Sequence, residues 1–257
     1  MSETKLNDWI KDGFCHSFSS AQKFMTNTSA WLFTYGFKHK QPTNPAMQRG
    51  KTSEFVAYYI MKRQSEFKEH KPVEEIAEWH FRKNPHAYTK EECQNSIDIA
   101  KNFQKALQER QLTRIEKYQE KVVVDGSKYG LNYPIVAYTD FTFPDLIVDT
   151  KATMRCPSSP KISHVRQQCL YSKLYDKPTA ILYATPKKHQ FVDVLPGEVE
   201  DGFQECISTF KNIENYLKVC DTIEKAVMIT PLNTDDYYFD YNMKQEAKKE
   251  WQTILKQ

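Results

Sequence analysis

The pattern of hydrophobic and polar positions divides the chain into three stretches: helix-like sequence to about residue 121, β-branched and aromatic runs in the middle, and helix-like sequence again at the end. Ser19-Ser20-Ala21-Gln22 has capping-box spacing, which predicts a helix running to about Tyr35. A polar loop with Pro42 and Pro45 follows, then a second helix from about Ala46 or Gly50 to Arg63. Pro72 suits the first turn of a short helix that ends before Pro85. From Lys90 to about Lys121 the chain is charged and free of Gly and Pro, predicting one long helix. Lys121–Val124, Tyr133–Phe143 and Leu146–Met154 then read as strands. A helix over Lys161–Tyr175 and strands at Thr179–Ala184 and Gln190–Val194 complete the middle. Helices near Val199–Val219 and Met243–Leu255 flank an irregular acidic and aromatic stretch.

This order predicts an α/β (α+β) fold, a mixed central sheet flanked by helices. We expect one domain over residues 1–257, with a core of about 46–195, a helical N-terminal segment over residues 1–45 and C-terminal helices over 196–257. The chain is long enough to bury a core without staples.

The informative segment is the hairpin around the turn dipeptide Pro144-Asp145. A symmetric fold pairs Phe143 with Leu146, Thr142 with Ile147, Phe141 with Val148 and Asp140 with Asp149. Strand side chains alternate, so Phe141, Phe143, Leu146 and Val148 share one apolar face. Asp140, Asp149 and Lys151 share the other. Opposed like charges destabilise a sheet unless something offsets them, and a divalent cation would do so, hard oxygen ligands suiting Mg²⁺ or Mn²⁺. Lys151 on that face could hold a water nucleophile or stabilise charge on a phosphate. An isolated Asp-x-Lys is common and equally describes a solvated strand edge.

Composition changes the picture little. A hydrophobic share of 40% and a charged share of 27% are ordinary for a globular protein and exclude a fibrous or disordered class. The net charge of +3 is too small to argue for a nucleic-acid partner by itself. Met1-Ser2-Glu3-Thr4-Lys5 lacks a signal-peptide pattern, and no apolar run approaches membrane-spanning length, so a cytoplasmic location without membrane association is expected. The six cysteines are scattered with no CxxC pair, which favours free thiols over zinc, disulfides or an iron–sulfur cluster.

The motifs in order resemble the PD-(D/E)XK nuclease superfamily, in its RecB-type and phage-exonuclease branch. That branch carries G-x-x-x-H/E on a helix, a G-x-x-D strand, D-x-K, then Q-x-x-x-Y on a helix. Here stand Gly50-Lys51-Thr52-Ser53-Glu54, Ala137-Tyr138-Thr139-Asp140, Asp149-Thr150-Lys151 and Gln167-Gln168-Cys169-Leu170-Tyr171. Ser17-Phe18-Ser19 and Ala46-Met47 also resemble the branch's N-terminal region, so the likeness spans about Ser17 to Val194. It implies a restriction-endonuclease-like core, with Asp140 and Asp149 as metal ligands and Lys151 as the catalytic lysine. It also implies the Thr150 carbonyl and Glu54 as further ligands to Mg²⁺ or Mn²⁺. Gln167 and Tyr171, four apart on one helix face, would contact DNA or orient the site.

Two departures stand out: Ala137 replaces the usual glycine, and Pro144-Asp145 spells a rival "PD" at the turn. No cysteines match the cluster ligands of some relatives, so no iron–sulfur cluster is expected. His164, Arg166 and Lys173 are candidate phosphate contacts or simply a basic solvated face. Trp31, Trp79 and Trp251 read as core anchors rather than base-stacking platforms. The implied activity is exonucleolytic hydrolysis of linear DNA in recombination, repair or phage DNA processing. A recombination or annealing protein and a homo-oligomer are conceivable partners. An endonuclease of the same superfamily, or a non-catalytic DNA-binding module of this fold, are the alternatives.

Overall fold

In the computed structural model, residues 9–10, 13–66 and 70–256 are described; the reading of Met1–Lys5 lies outside them. Helix α1 (Phe18–Thr26) starts at Ser17, whose side chain accepts from the Ser20 N–H at 3.2 Å. The single helix expected to Tyr35 is in fact two. Asn27 takes an extended backbone, ends α1, and caps α2 (Thr28–Tyr35) by accepting from the Ala30 N–H at 2.9 Å. A short amide side chain that bonds its neighbours' backbone competes with the helix, and here it wins. Helix α3 (Pro45–Glu66) begins with proline at its first position and Asn44 accepting from the Met47 N–H. Helix α4 (Val73–Phe81) and a 3₁₀ turn (Pro85–Ala87) follow.

Helix α5 (Lys90–Glu109) opens on a Thr89 cap with Glu91 and Glu92 in its first turn, where negative charge is favoured. It ends twelve residues before the expected Lys121. Gln111 adopts φ +58°, a left-handed conformation that stops a helix, and strand β1 (Lys117–Val124) already occupies the rest. Absence of Gly and Pro is therefore no guarantee of a continuous helix. Strands β2 (Ile135–Thr142) and β3 (Ile147–Ala152), helix α6 (Ile162–Tyr175) and strands β4 (Thr179–Ala184) and β5 (His189–Asp193) come next. Helices α7 (Pro196–Val219) and α9 (Tyr241–Leu255) close the chain, with a short α8 (Ile223–Ile229) inside the stretch expected to be irregular.

The sheet order is β1-β2-β3-β4-β5; β2/β3 and β4/β5 are antiparallel and β3/β4 is parallel. This is the mixed sheet with helices that the sequence predicts. Parallel neighbours need a crossover, which α6 supplies. Strand β4 is buried along its whole length, as a strand covered on both faces must be.

The chain forms two compact units. One comprises residues 1–42, 123–137 and 204–257, the other 43–122 and 138–203. The first has a core around Trp31, Leu32, Phe33, Ile213, Leu217 and Trp251. The second packs Val56, Phe81, Ile97, Phe103 and Leu107 against the sheet residues Phe141, Phe143, Val148 and Leu182, with Leu146 at its margin. Each such side chain contributes roughly 1.5–3 kcal/mol by leaving water. Helix α3 is also tied to α5 by Arg49, which pairs with both oxygens of Glu92 at 2.6 and 2.7 Å. Of the three tryptophans read as core anchors, Trp31 and Trp251 are buried but Trp79 is 55% exposed, which corrects that expectation. Among the described residues no helix is long and apolar enough to cross a membrane.

Candidate active site

The hairpin folds in the expected register where it pairs: Phe141 opposes Val148, Thr142 opposes Ile147, and the Phe143 N–H donates to the Leu146 carbonyl. The apolar face enters the core of the second unit. One residue further the arrangement changes character. Asp140 meets β3 through its side chain, Oδ2 accepting from the Thr150 N–H at 2.7 Å and from its hydroxyl at 2.8 Å. That carboxylate thereby takes the donor that a continued ladder would have used.

Asp149 is 2% exposed and pointed away from the apolar face. Its Oδ2 lies 2.6 Å from Lys151 Nζ, in ion-pair contact. The ammonium therefore holds this buried oxygen directly. Lys151 Nζ also donates to Gln167 Oε1 at 2.9 Å, and Gln167 Nε2 donates to the Tyr171 hydroxyl at 2.9 Å. The pair on α6 thus orients the lysine. Glu54, on α3 and almost buried, accepts from Gln119 Nε2 at 2.7 Å.

The electrostatics follow from three acids and one base in little water. Burial and the neighbouring Asp149 push Asp140 up to about 7, against the pull of Lys151 and Thr150. Burial, then Asp140 and Asp149, push Glu54 well above the usual carboxylate range despite Gln119 and Tyr118. Burial alone would lower the Lys151 ammonium, but Asp149 and Asp140 override it and hold the group above its ordinary value. Lys151 is therefore a fixed cation, and the carboxylates compete for too little positive charge.

Of the other expected residues, His164 hydrogen-bonds the Tyr183 hydroxyl through Nδ1 at 2.8 Å. Burial and the cations Lys151 and Lys161 bring its pKa down to about 4, so it is neutral at physiological pH and not a cationic phosphate contact. Lys173 is paired with Glu200 at 2.6 Å. Arg166 is half-buried on α6, one residue before Gln167. Gly50 has open space where a Cβ would stand, so no protein atom demands glycine there. The rival Asp145 lies in the turn, outside both strands.

Two residues escape the sequence reading. Tyr118 stacks on Tyr58 with centroids 4.2 Å apart and stands beside Glu54, its hydroxyl pKa raised by burial, Glu54 and Asp140. Gln119 adopts φ +51° inside β1. Left-handed backbone in a strand resembles a bulge and re-aims a side chain, here toward Glu54. Alternation along β1 is the signal that could flag Tyr118, once its residues are taken out of the preceding helix; nothing in the sequence announces Gln119.

The donor set suits a hard divalent cation: carboxylate oxygens crowded with like charge, two of the groups pushed up for want of counter-charge. Among the described residues no three His, Cys, Asp or Glu side chains form a ready cluster for a metal. An ion held here would then draw on one or two carboxylates and complete its shell with water and phosphate oxygens, as Mg²⁺ commonly does.

No protein-family profile and no curated protein matches the chain. Among solved structures, one described as "Putative exonuclease" from Eubacterium rectale superposes with a TM-score of 0.55 at 13% identity, over 86% of this chain and 90% of that one. A second, SSO0001, reaches a TM-score of only 0.35 at 11% identity over 69% of this chain and 92% of its own, too distant to bear on the argument. The chain therefore shares its mixed α/β fold with the Eubacterium rectale protein.

Proposed function

We propose that the chain is a metal-dependent deoxyribonuclease, acting as an exonuclease on linear DNA. The observation that carries the reading is the constellation of buried Asp149 with half-buried Asp140 and Lys151 at the end of the β2/β3 ladder, with Glu54 beside it and Gln167 and Tyr171 behind the lysine. The description of the Eubacterium rectale neighbour favours exonuclease over endonuclease, as does the order of motifs.

One or two of the carboxylates Asp149, Asp140 and Glu54, with the Thr150 carbonyl, would hold Mg²⁺ or Mn²⁺, which when bound supplies Lewis acidity toward a phosphoryl oxygen and a more acidic water. The chain's own groups account for the rest. Lys151 stays protonated between pH extremes and is oriented by Gln167, so its ammonium can stabilise negative charge developing on a phosphate oxygen. Tyr171 restrains the Gln167 amide, so it is a positioning residue. Asp149 Oδ2, 2.6 Å from the ammonium, fixes the lysine from its other side.

A time course on end-labelled linear duplex with and without Mg²⁺ tests the proposal. Asp149→Ala or Lys151→Ala should lower degradation by about a thousandfold or more, with the melting curve still cooperative. Undiminished cleavage by both variants would overturn the assignment. Cleavage of closed circular DNA at a comparable rate would replace exonuclease by endonuclease.

A further inference from the structure

The exposed Trp79 is the outermost ring of a built assembly on α3 and α4. Phe55 lies 5.9 Å from the Trp79 ring and stacks on His80 with centroids 4.6 Å apart and planes 14° from parallel. The stack is anchored from beneath. His80 Nδ1 hydrogen-bonds the buried Thr52 hydroxyl at 3.0 Å, and the His80 carbonyl accepts from buried Gln48 Nε2 at 2.9 Å. Gln48 Oε1 in turn accepts from Asn84 at 2.7 Å.

Cations surround these rings. Lys83 Nζ sits 4.0 Å from the Trp79 centroid and 5.7 Å from that of Phe55. Lys51, exposed and one turn before Phe55, acts together with Lys83 and burial to lower the His80 pKa to about 4, so both lysines lie within electrostatic reach of a neutral ring. Glu78, next to Trp79, is bound to Arg82 at 2.6 and 2.9 Å. The face is thus aromatic and basic. Phe55 is the immediate neighbour of Glu54, so the same helix serves the carboxylate site and this surface.

We propose that Trp79, with Phe55, Lys83 and Lys51, is a platform for unpaired nucleotides: a base stacks on the indole while the lysines meet the adjoining phosphates. An aromatic surface beside flexible cations is the general device for holding single strands without reading sequence. A purely apolar partner would not call for the lysines, and an acidic peptide would not call for a fixed, exposed indole. That the bound strand is also the substrate rests on the nuclease reading; the platform itself does not.

The experiment uses the full chain, chelator to prevent cleavage, and a fluorescein-labelled single-stranded oligothymidylate, with a blunt duplex as comparison. The wild type should bind the single strand, and Trp79→Ala should weaken that binding about tenfold with unchanged melting temperature. Trp79→Phe should retain affinity within about threefold, yet lose most of the quenching of intrinsic tryptophan fluorescence that the oligonucleotide causes. Lys51→Ala and Lys83→Ala should each flatten the logarithmic salt dependence by about 0.7. No single-strand binding by the wild type, or unaltered affinity in Trp79→Ala, overturns the platform; the second result hands this face to another partner, such as a protein. Magnesium-dependent cleavage that persists beside either result leaves the nuclease reading intact. Loss of single-strand binding in Trp79→Ala, in a chain that never cleaves DNA, keeps the platform and removes the nuclease.

Discussion

Two buried carboxylate sites, one in each compact unit, have opposite characters. In the first unit Glu214 is 6% exposed. It is surrounded by donors: His16 Nε2 at 2.9 Å, the Asn132 N–H and side-chain amide at 2.7 and 2.6 Å, and the Tyr133 N–H at 3.1 Å. Burial alone would raise its pKa, but these partners override it and hold the carboxyl below its ordinary range. His16 meanwhile stacks on Phe210 and bridges β2 through its backbone, donating to the Pro134 carbonyl and accepting from the Val136 N–H. In the second unit three acids share one lysine and a handful of donors, and two of them are pushed up. A buried charge that serves the fold is saturated with partners; one under-supplied is a candidate for chemistry that brings its own counter-charge.

Removing each carboxylate should therefore have opposite consequences. The largest effect is expected from Glu214→Ala, which strands His16 and two backbone N–H groups. It should cost about 3–5 kcal/mol of stability in denaturant melts, while the folded fraction retains activity. A loss below 1 kcal/mol, on the scale of about 0–1 kcal/mol for surface pairs, would erase the contrast.

Next in size is the pH response. A carboxyl whose folded pKa is raised binds more protons folded than unfolded, so stability falls as pH climbs from the ordinary carboxylate range through the folded value. For Asp140 that window ends near pH 7. In chelator the wild type should lose several degrees of melting temperature between pH 5 and pH 8, and Asp140→Asn, whose amide oxygen can still accept from Thr150, should lose fewer. Glu214 has the opposite sign: its depressed pKa gives stability that is present at neutral pH and disappears in acid. Equal slopes for wild type and Asp140→Asn would show that the crowding is not felt.

The smallest effect is expected at the margin of the candidate site. Gln119→Ala removes a donor from Glu54, and loss of such an outer partner typically lowers activity or metal affinity by about tenfold. Melting temperature should change little, because alanine relieves none of the backbone geometry. Wild-type turnover in this variant would reduce Gln119 to a strand irregularity.

Much of this layout is legible in the sequence because its signals are short-range. The hairpin register follows from alternating apolar residues about Pro144-Asp145, and α6 and β4 from strong local patterns. Tertiary and single-residue effects are opaque. Gln111 and Gln119 sit in left-handed backbone with no glycine to announce them, so the pattern extends a helix across a loop and into β1. Asn27 is a signal within reach, since an Asn followed by Thr-Ser is a ready N-cap, but the capping box upstream masks it by fitting the whole segment. Trp79 falls to the core by residue type alone, although its neighbours Glu78, Arg82 and Lys83 already describe an exposed helix face. The motifs place Lys151, Gln167 and Tyr171 in order; that the amide bridges lysine and phenol is visible only in three dimensions.

The loop between β3 and α6 has a practical corollary. Its entry is pinned by the Thr153 N–H on the Ala184 carbonyl at 2.9 Å, and its exit by the Lys161 N–H on the Tyr183 hydroxyl at 3.3 Å. Both anchors lie at the end of β4, so the residues between them can change in number without moving Lys151 or Gln167. Each doubling of a flexible loop adds only about 0.6 kcal/mol of closure entropy. That makes residues 154–160 a natural port for an inserted tag, a label or a whole domain, and a place where related chains can diverge in length while the chemistry stays put.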